Sequence, residues 1–311
     1  MNGVRVSVCL PVWQGVADLR RLLPALARQR VEGGFEVVAI DSSSTDGSFE
    51  LLRDHGARVE RIAQSEFGHG RTRNRLARLA RGELLVYLSQ DALPVGDDFL
   101  AALVRPLAEH GVAAATARIL PRDDDDPLTR RSVLDQPQAS TLPRRHALKE
   151  GGLRMLSPAE RAARVAFDNV AAAYRAEVLA ALPFPELPFG EDAGWAESAL
   201  QAGHVIAFEP EAVVLHAHRY DARSAWVRWR QDAAFQRVEL GRRVRPGLAS
   251  VLRGLAFELR RDWNFLRREG GLGHLPRALL LRSAQVGGAW AGSRGRIGPS
   301  GVASGARHRA Q

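Results

Sequence analysis

The chain is short of several things, and each shortage removes a class of explanation. Its 311 residues contain one cysteine, Cys9, inside the apolar run "VRVSVCL", so no disulfide framework or cysteine-based zinc site can form within one chain. No run reaches the roughly 18 apolar residues that span a bilayer; "LPRALLLRSAQVGGAWAG" comes nearest, but Arg277 and Arg282 interrupt it. The start, "MNGVRVSVCLPV", lacks a signal-peptide pattern because its apolar stretch is short and reads as a strand, and a cytoplasmic chain is expected. No G-x-G-x-x-G follows the first strand and no G-x-x-x-x-G-K-[ST] occurs anywhere, which argues against a dinucleotide oxidoreductase and a P-loop kinase. Lysine is nearly absent as well: Lys149 is the only one, so arginine fills almost every basic position.

Acids are scarce in one place. From Gly241 to Gln311 there are fourteen arginines against Glu258, Asp262 and Glu269, a balance of +11 in a chain whose net charge is +9, which leaves −2 for residues 1–240. A basic terminal segment suits an anionic partner such as a membrane surface or nucleic acid. From Val251 to Arg268, Leu252, Leu255, Leu259, Trp263 and Leu266 fall on one helical face, with Arg253, Arg260, Arg261, Arg267 and Arg268 largely elsewhere. That pattern fits a helix lying on anionic lipid, or equally one packed on the preceding domain with its arginines in water. Beyond Gly292 the chain is small, polar and glycine-rich and is expected to be disordered.

With 45% hydrophobic residues the remainder can bury a substantial core. "VRVSVCLPV", "FEVVAID", "ARVERIA", "ELLVYLSQDA" and "VAAATARIL" read as strands. The segments between them, "ADLRRLLPALARQ" (interrupted by Pro24), "SFELLRDHG", "GRTRNRLARLARG" and "GDDFLAALVRPLAEHG", read as helices. This alternation predicts an α/β fold with a mainly parallel central sheet flanked by helices and right-handed crossovers. Pro121 to about Arg164 breaks the rhythm and reads as a long loop with short helices. "DNVAAAYRAEVLAALP" reads as helix, "PFGEDAGWAESALQAGH" as a loop and then a helix, and "VIAFEPEAVVLHAHRY" as two strands about a turn at Pro210. "ARSAWVRWRQDAAFQRVEL" completes the helices of this part. The organisation expected is a domain over 1–240, a basic helical extension over 241–292 and a tail over 293–311.

Parallel α/β sheets bind ligands at the carboxyl ends of their strands. Those ends carry "LPVWQG", "AIDSSSTDG" and "YLSQDALP", with Asp41 and Asp91 at two tips. Either acid alone is most simply a turn cap; together they project over one sheet edge. A run of four acids, Asp123 to Asp126, is better read as a solvated loop than as a metal site, because adjacent acids repel.

Taken in order, "LPVW", "VVAIDSSSTDGS", "GHGRTRNRLARLARGELLVYLSQDA" and "FGEDAGWAESALQAG" resemble the family 2 inverting glycosyltransferases of the GT-A fold, over about Val4 to Tyr220. The "HGRTRN…SQDA" form is similar to their bacterial rhamnosyltransferase branch. The resemblance implies transfer of a sugar, with L-rhamnose from a dTDP donor as the favoured case, from a nucleotide diphosphate to a lipid-linked or polysaccharide acceptor in cell-envelope glycan synthesis. It implies that Asp41 meets the base, that Pro11, Val12 and Ser43 line its pocket, and that His69, Gly70, Arg73, Asn74 and Gln90 contact the nucleotide sugar. It implies that Asp91 reaches the diphosphate through a Mg²⁺ or Mn²⁺ ion. The family pattern has two acids separated by one residue, whereas Gln90, Asp91 and Ala92 supply only one charge here, so another ligand is needed, and His216 and His218 lie on one face of a strand end. It implies that Asp192 is the catalytic base and that Glu191 positions acceptor or loop; without it, the two are an ordinary acid pair at a helix start. No nucleic-acid partner is expected. A competing possibility is a glycosyltransferase-like subunit that binds membrane or polymer without catalysis.

Overall fold

The computed structural model describes residues 4–149 and 152–294. Most of the tail expected over 293–311 therefore lies outside the described residues. In chain order the elements are β1 (Val6–Val12), α1 (Val16–Ala27), β2 (Phe35–Asp41), α2 (Ser48–Asp54), β3 (Arg58–Arg61), α3 (His69–Leu79) and β4 (Leu84–Leu88). There follow β5 (Leu93–Pro94), α4 (Phe99–Val104), β6 (Val112–Leu120), α5 (Pro127–Leu134), β7 (Arg144–His146) and α6 (Pro158–Arg164). The chain continues through β8 (Ala171–Arg175), α7 (Ala176–Ala181), α8 (Glu191–Gln201), β9 (Val205–Leu215), α9 (Ala222–Val238), α10 (Leu248–Glu269) and α11 (Leu275–Ser293).

Two compact units emerge. Among the described residues the first holds 4–149, 152–157, 163–187 and 191–219; the second holds 158–162, 188–190 and 220–294. In the first, the sheet runs β3-β2-β1-β4-β8-β6-β9-β5, with β7 also paired to β9. β1 is parallel to β2 and β4, and β2 to β3, as the alternating pattern predicts. β1 and β4 are buried along almost their whole length, which suits strands covered on both faces. On α1, Leu19, Leu22, Leu23 and Leu26 form the buried stripe at helical spacing, and the helix continues through Pro24.

The second half of the sheet departs from the expected reading. Ala171–Arg175 is a strand, antiparallel to both β4 and β6, although its alanines favour helix. Its alanines are fully buried between those two strands, and burial overrides propensity there. The sheet is consequently mixed rather than mainly parallel. "VIAFEPEAVVL" is one strand, not two about a turn. Pro210 falls where the register with β6 slips between Ala117–Glu209 and Arg118–Val213, so it sits in a bulge, where a missing N–H breaks no ladder bond.

Within the second unit α9, α10 and α11 pack together, with α10 and α11 forming a hairpin. Arg282 of α11 donates to both carboxylate oxygens of Asp262 on α10, at 2.8 and 3.0 Å, and all of these atoms are buried. α11 meets α9 backbone to backbone: a Cβ on Gly288 would lie 2.5 Å from the Trp226 carbonyl oxygen, and one on Gly292 would lie 2.2 Å from that of Arg230. Neither neighbour can yield, because both atoms belong to helical main chain. Gly288→Val should therefore destabilise this unit by about 2 kcal/mol or more, the usual range for overpacking a tight contact. Thermal unfolding followed by circular dichroism checks it.

Candidate active site

The site lies at the carboxyl ends of β1, β2 and β4, where the chain turns repeatedly. Asp41, the last residue of β2, is fully buried. Its Oδ1 accepts hydrogen bonds from the Ser44 N–H at 3.0 Å and from Arg61 Nε at 3.3 Å, whereas Oδ2 has no partner. A buried carboxylate oxygen without a donor is costly, and a bound ligand supplying an N–H would relieve it. Arg61 stacks over Phe49 at 4.1 Å, which gives the same corner a flat cationic wall. Val12 pairs in register with Asp41 and is buried, with Pro11 half-buried beside it. Ser43, held at φ 61°, donates its hydroxyl to the Ile62 carbonyl.

The serine-rich "SSSTDGS" does something composition alone hides. The N–H groups of Trp13, Gln14, Gly15 and Val16, the turn that opens α1, each meet a side chain: Gln90 Oε1, Ser44 Oγ, Ser48 Oγ and Asp46 Oδ2, all at 2.9 Å. A helix start normally leaves such donors open to anions; here Ser44 and Asp46 of the loop after β2 and Ser48 at the start of α2, together with Gln90, cap them.

Asp91 follows β4 by three residues, and β5 then pairs antiparallel with the end of β9, Leu93 opposite Leu215. That pairing brings His216 to Asp91, with Nε2 to Oδ2 at 3.3 Å. His218 joins them, its ring edge-on to that of His216 with centroids 4.6 Å apart. One ligand atom from each of the three residues fits within a 4.8 Å span. Burial works against ionisation of Asp91, but the hydrogen bond and charge of His216 and the charge of His218 win and hold its carboxyl down at about 2. One carboxylate and two imidazoles form a donor set that suits Mn²⁺ better than the all-oxygen preference of Mg²⁺, so the residues fit a divalent ion. The four-acid run braces this cluster. Arg122 donates to the Asp91 carbonyl at 2.5 Å, Asp125 accepts from Arg219 Nε at 3.2 Å, and Asp126 caps α5 through Leu128 and Thr129.

Asp192 reaches the same edge by another route. Ser89 donates to the Val170 carbonyl at 2.9 Å, and the neighbouring Asn169 N–H donates to Asp192 Oδ2 at 3.4 Å. Glu191 is paired with Arg73, both side chains being almost fully buried. No cation pairs with Asp192 among the described residues. Desolvation, then the charges of Glu191 and Asp168, raise its pKa to about 7, against the smaller lowering effect of the Ala193 N–H.

The structure puts "HGRTRN" to a use that sequence did not reveal. Asn74 Nδ2 donates to the Phe184 carbonyl and its Oδ1 accepts from the Phe184 N–H, both at 2.9 Å. Arg71 pairs with Glu186 at 2.8 Å, and a Cβ on Gly70 would lie 2.3 Å from the Pro185 carbonyl oxygen. α3 thus grips the segment that leads to Glu191 and Asp192, while His69 stays exposed at its start, edge-on to Phe67. Asp168 and Arg122 stand at the site without any motif to mark them. In sequence Asp168 is only one more acid in a loop before a strand.

The sequence model of Glycosyl transferase family 2 matches residues 7–169, and the chain belongs to that family. It is 32% identical over 204 residues to the O-antigen chain rhamnosyltransferase WbaN of Salmonella anatum, an alignment covering 64% of this chain and 62% of the relative. It is 27% identical over 237 residues to the O-antigen chain rhamnosyltransferase RfbN of Salmonella typhimurium, covering 75% and 72%. Among solved structures it resembles the mannosyltransferase PcManGT from Pyrobaculum calidifontis in complex with GDP-Man and Mn²⁺. The TM-score is 0.58 at 22% identity, over 93% of this chain and 86% of that one. That likeness shows the fold, the GT-A arrangement expected from the motifs.

Asp192 holds its proton to higher pH folded than unfolded. Stability associated with it is therefore present at low pH and declines as pH rises from about 4 through 7. Asp192→Asn should leave the melting temperature near wild type at pH 4 and raise it at pH 8, as measured by differential scanning fluorimetry.

Proposed function

We propose that this chain is an inverting glycosyltransferase that moves L-rhamnose from a dTDP donor to a lipid-linked or polysaccharide acceptor in O-antigen-type glycan synthesis. The observation that carries the reading is Asp192, an acid without a cation, lifted to about 7 at a strand-end edge shared with Asp91 and His216. A carboxylate of that basicity is matched to taking a proton from an attacking hydroxyl near neutral pH. Glu191, neutralised by Arg73, cannot serve as base without breaking a buried ion pair, so its part is to seat the first turn of α8.

At the other end of the donor, the unpartnered Oδ2 of Asp41 is the acceptor for a base N–H, with Pro11, Val12, Ser43 and Arg61 around it. Asp91, His216 and His218 would hold a divalent cation, which when bound offsets the charge of the diphosphate leaving group. The choice of a rhamnosyl donor rests on the two rhamnosyltransferase relatives.

The acceptor reading is joined to a location. No helix among the described residues is long and apolar enough to cross a membrane. α10, however, exposes Leu252 (61%) and Trp263 (47%) on one stripe. Beside it, Arg253, Arg260 and Arg267 recur every seven residues and make no ion pair or hydrogen bond among the described residues. We place this stripe against an anionic bilayer surface at the cytoplasmic face, where apolar side chains enter the headgroup boundary and arginines meet lipid phosphate.

Transfer by the purified protein should rise with pH through about 7, and Asp192→Asn should lower it ~10²–10⁴-fold while dTDP binding stays near wild type. Full transfer by that variant would refute the base assignment. Asp91→Asn should abolish the Mn²⁺-dependent part of dTDP binding in calorimetry. Arg253, Arg260 and Arg267 changed together to Gln should reduce co-sedimentation with phosphatidylglycerol vesicles and leave phosphatidylcholine vesicles unaffected.

A further inference from the structure

Gln90 directly precedes Asp91, and its side chain is already engaged. Its Oε1 accepts from the Trp13 N–H at 2.9 Å and its Nε2 donates to the Trp13 carbonyl at 3.1 Å. A single carboxamide thus pairs with both main-chain groups of one residue 77 positions away, as a neighbouring strand would. A carboxylate could make the first bond but not the second, because it has no hydrogen to give the carbonyl.

Gly15 supplies an independent observation. Its φ of −112° is open to any residue, so no backbone strain calls for glycine. What calls for it is space. A Cβ there would lie 2.6 Å from Gln90 Cδ and Oε1 and 2.8 Å from Nε2. The turn after β1 is therefore shaped around the Gln90 amide.

The bond network shows what the contact joins. Gln90 precedes Asp91. Trp13 follows Val12, the register partner of Asp41, and the next three N–H groups are tied to Ser44 and Asp46 of the loop after β2 and to Ser48, the first residue of α2. The amide thus links the loop holding Asp91 to the turn and loop that frame Asp41. A donor that spans base and diphosphate must contact both.

We propose that Gln90 is a positioning residue: its carboxamide, seated against Gly15 and paired with Trp13, sets the spacing between the base corner at Asp41 and the cation corner at Asp91, and neither ligates the cation nor touches the donor. The proposal rests on the nucleotide-sugar reading of the site. It also explains why position 90 carries no acid: a carboxylate there would face the Trp13 carbonyl with no hydrogen to donate.

The test compares the full-length wild type with Gln90→Ala, Gln90→Glu, Gly15→Ala and the Gly15→Ala/Gln90→Ala double variant. Calorimetry measures dTDP, UDP and GDP binding with and without Mn²⁺, fluorimetry follows thermal unfolding, and donor KM and kcat are measured separately. Gly15→Ala matters because it displaces the amide while removing no polar atom, and so remains informative if Gln90→Ala fails to fold. Each single variant should weaken binding of the preferred diphosphate ~10-fold, the scale of two lost neutral hydrogen bonds. Donor KM should rise in step, with kcat little changed, and half-saturation by Mn²⁺ should stay as in wild type. The double variant should be no worse than the weaker-binding single variant, because both changes break one contact. Additive losses, or diphosphate binding unchanged in Gly15→Ala and Gln90→Ala, would overturn the proposal. So would tighter Mn²⁺ binding by Gln90→Glu, which would mark position 90 as a cation ligand. Wild-type protein that binds none of the three diphosphates would overturn the transferase reading itself, and the positioning role with it.

Discussion

The buried pair of Arg73 and Glu191 is the constraint on which the rest of the site depends. Removing both charges from water is expensive, and their attraction compensates only while they stay in register. Register is enforced from several directions. The Tyr87 hydroxyl donates to the Arg73 carbonyl at 2.8 Å, and Tyr87, Tyr174, Phe184 and Trp195 pack edge-to-face around the strands and α8. Asn74 fixes Phe184 through both of its main-chain groups. The next residue, Asp192, pairs with no cation among the described residues; its burial, followed by the charges of Glu191 and Asp168, is what makes it basic.

Much of this was legible in sequence, and the legible parts share a cause. Strands β1 to β4 and their helices follow the hydrophobic period, and Asp41, Asp91 and Asp192 stand in recognisable strings at element ends. His216 could be suspected because one acid does not complete a cation's shell. The illegible parts also share a cause: their partners are main-chain atoms or lie far away in sequence. Nothing in "SQDA" shows that the Gln90 amide is spent on Trp13, and nothing in "RTRN" shows that Asn74 binds Phe184, because a peptide group is present at every position. Ala171–Arg175 read as helix because alanine's propensity is local, whereas its strand geometry comes from burial between β4 and β6. Arg122 and Asp168 were invisible for the converse reason, being ordinary charged residues in irregular loops that the fold carries to the site.

Charge is distributed economically around the carboxyl ends of the strands. The turn that opens α1 could have been an anion cradle, but its N–H groups are capped by Ser44, Asp46, Ser48 and Gln90. Arg73 is committed to Glu191, and Arg71 to Glu186. The arginines of α3 that stand at a helix start facing a diphosphate site in sequence are thus largely committed to holding loops. On the proposed reading the Asp91, His216 and His218 corner carries that role, which makes metal dependence a consequence of how the other donors are used.

The glycine contact between α9 and α11 has a mechanical side. Where helices touch through side chains, rotamers give a little before the backbone moves; where Gly288 and Gly292 lie on the carbonyls of Trp226 and Arg230, no such cushion exists. α11 is in turn tied to α10 by the two-pronged bond from Arg282 to Asp262. The three helices therefore act less as a set of springs than as a strut. A load applied to the exposed stripe of α10 would pass to main chain within two contacts instead of being absorbed on the way.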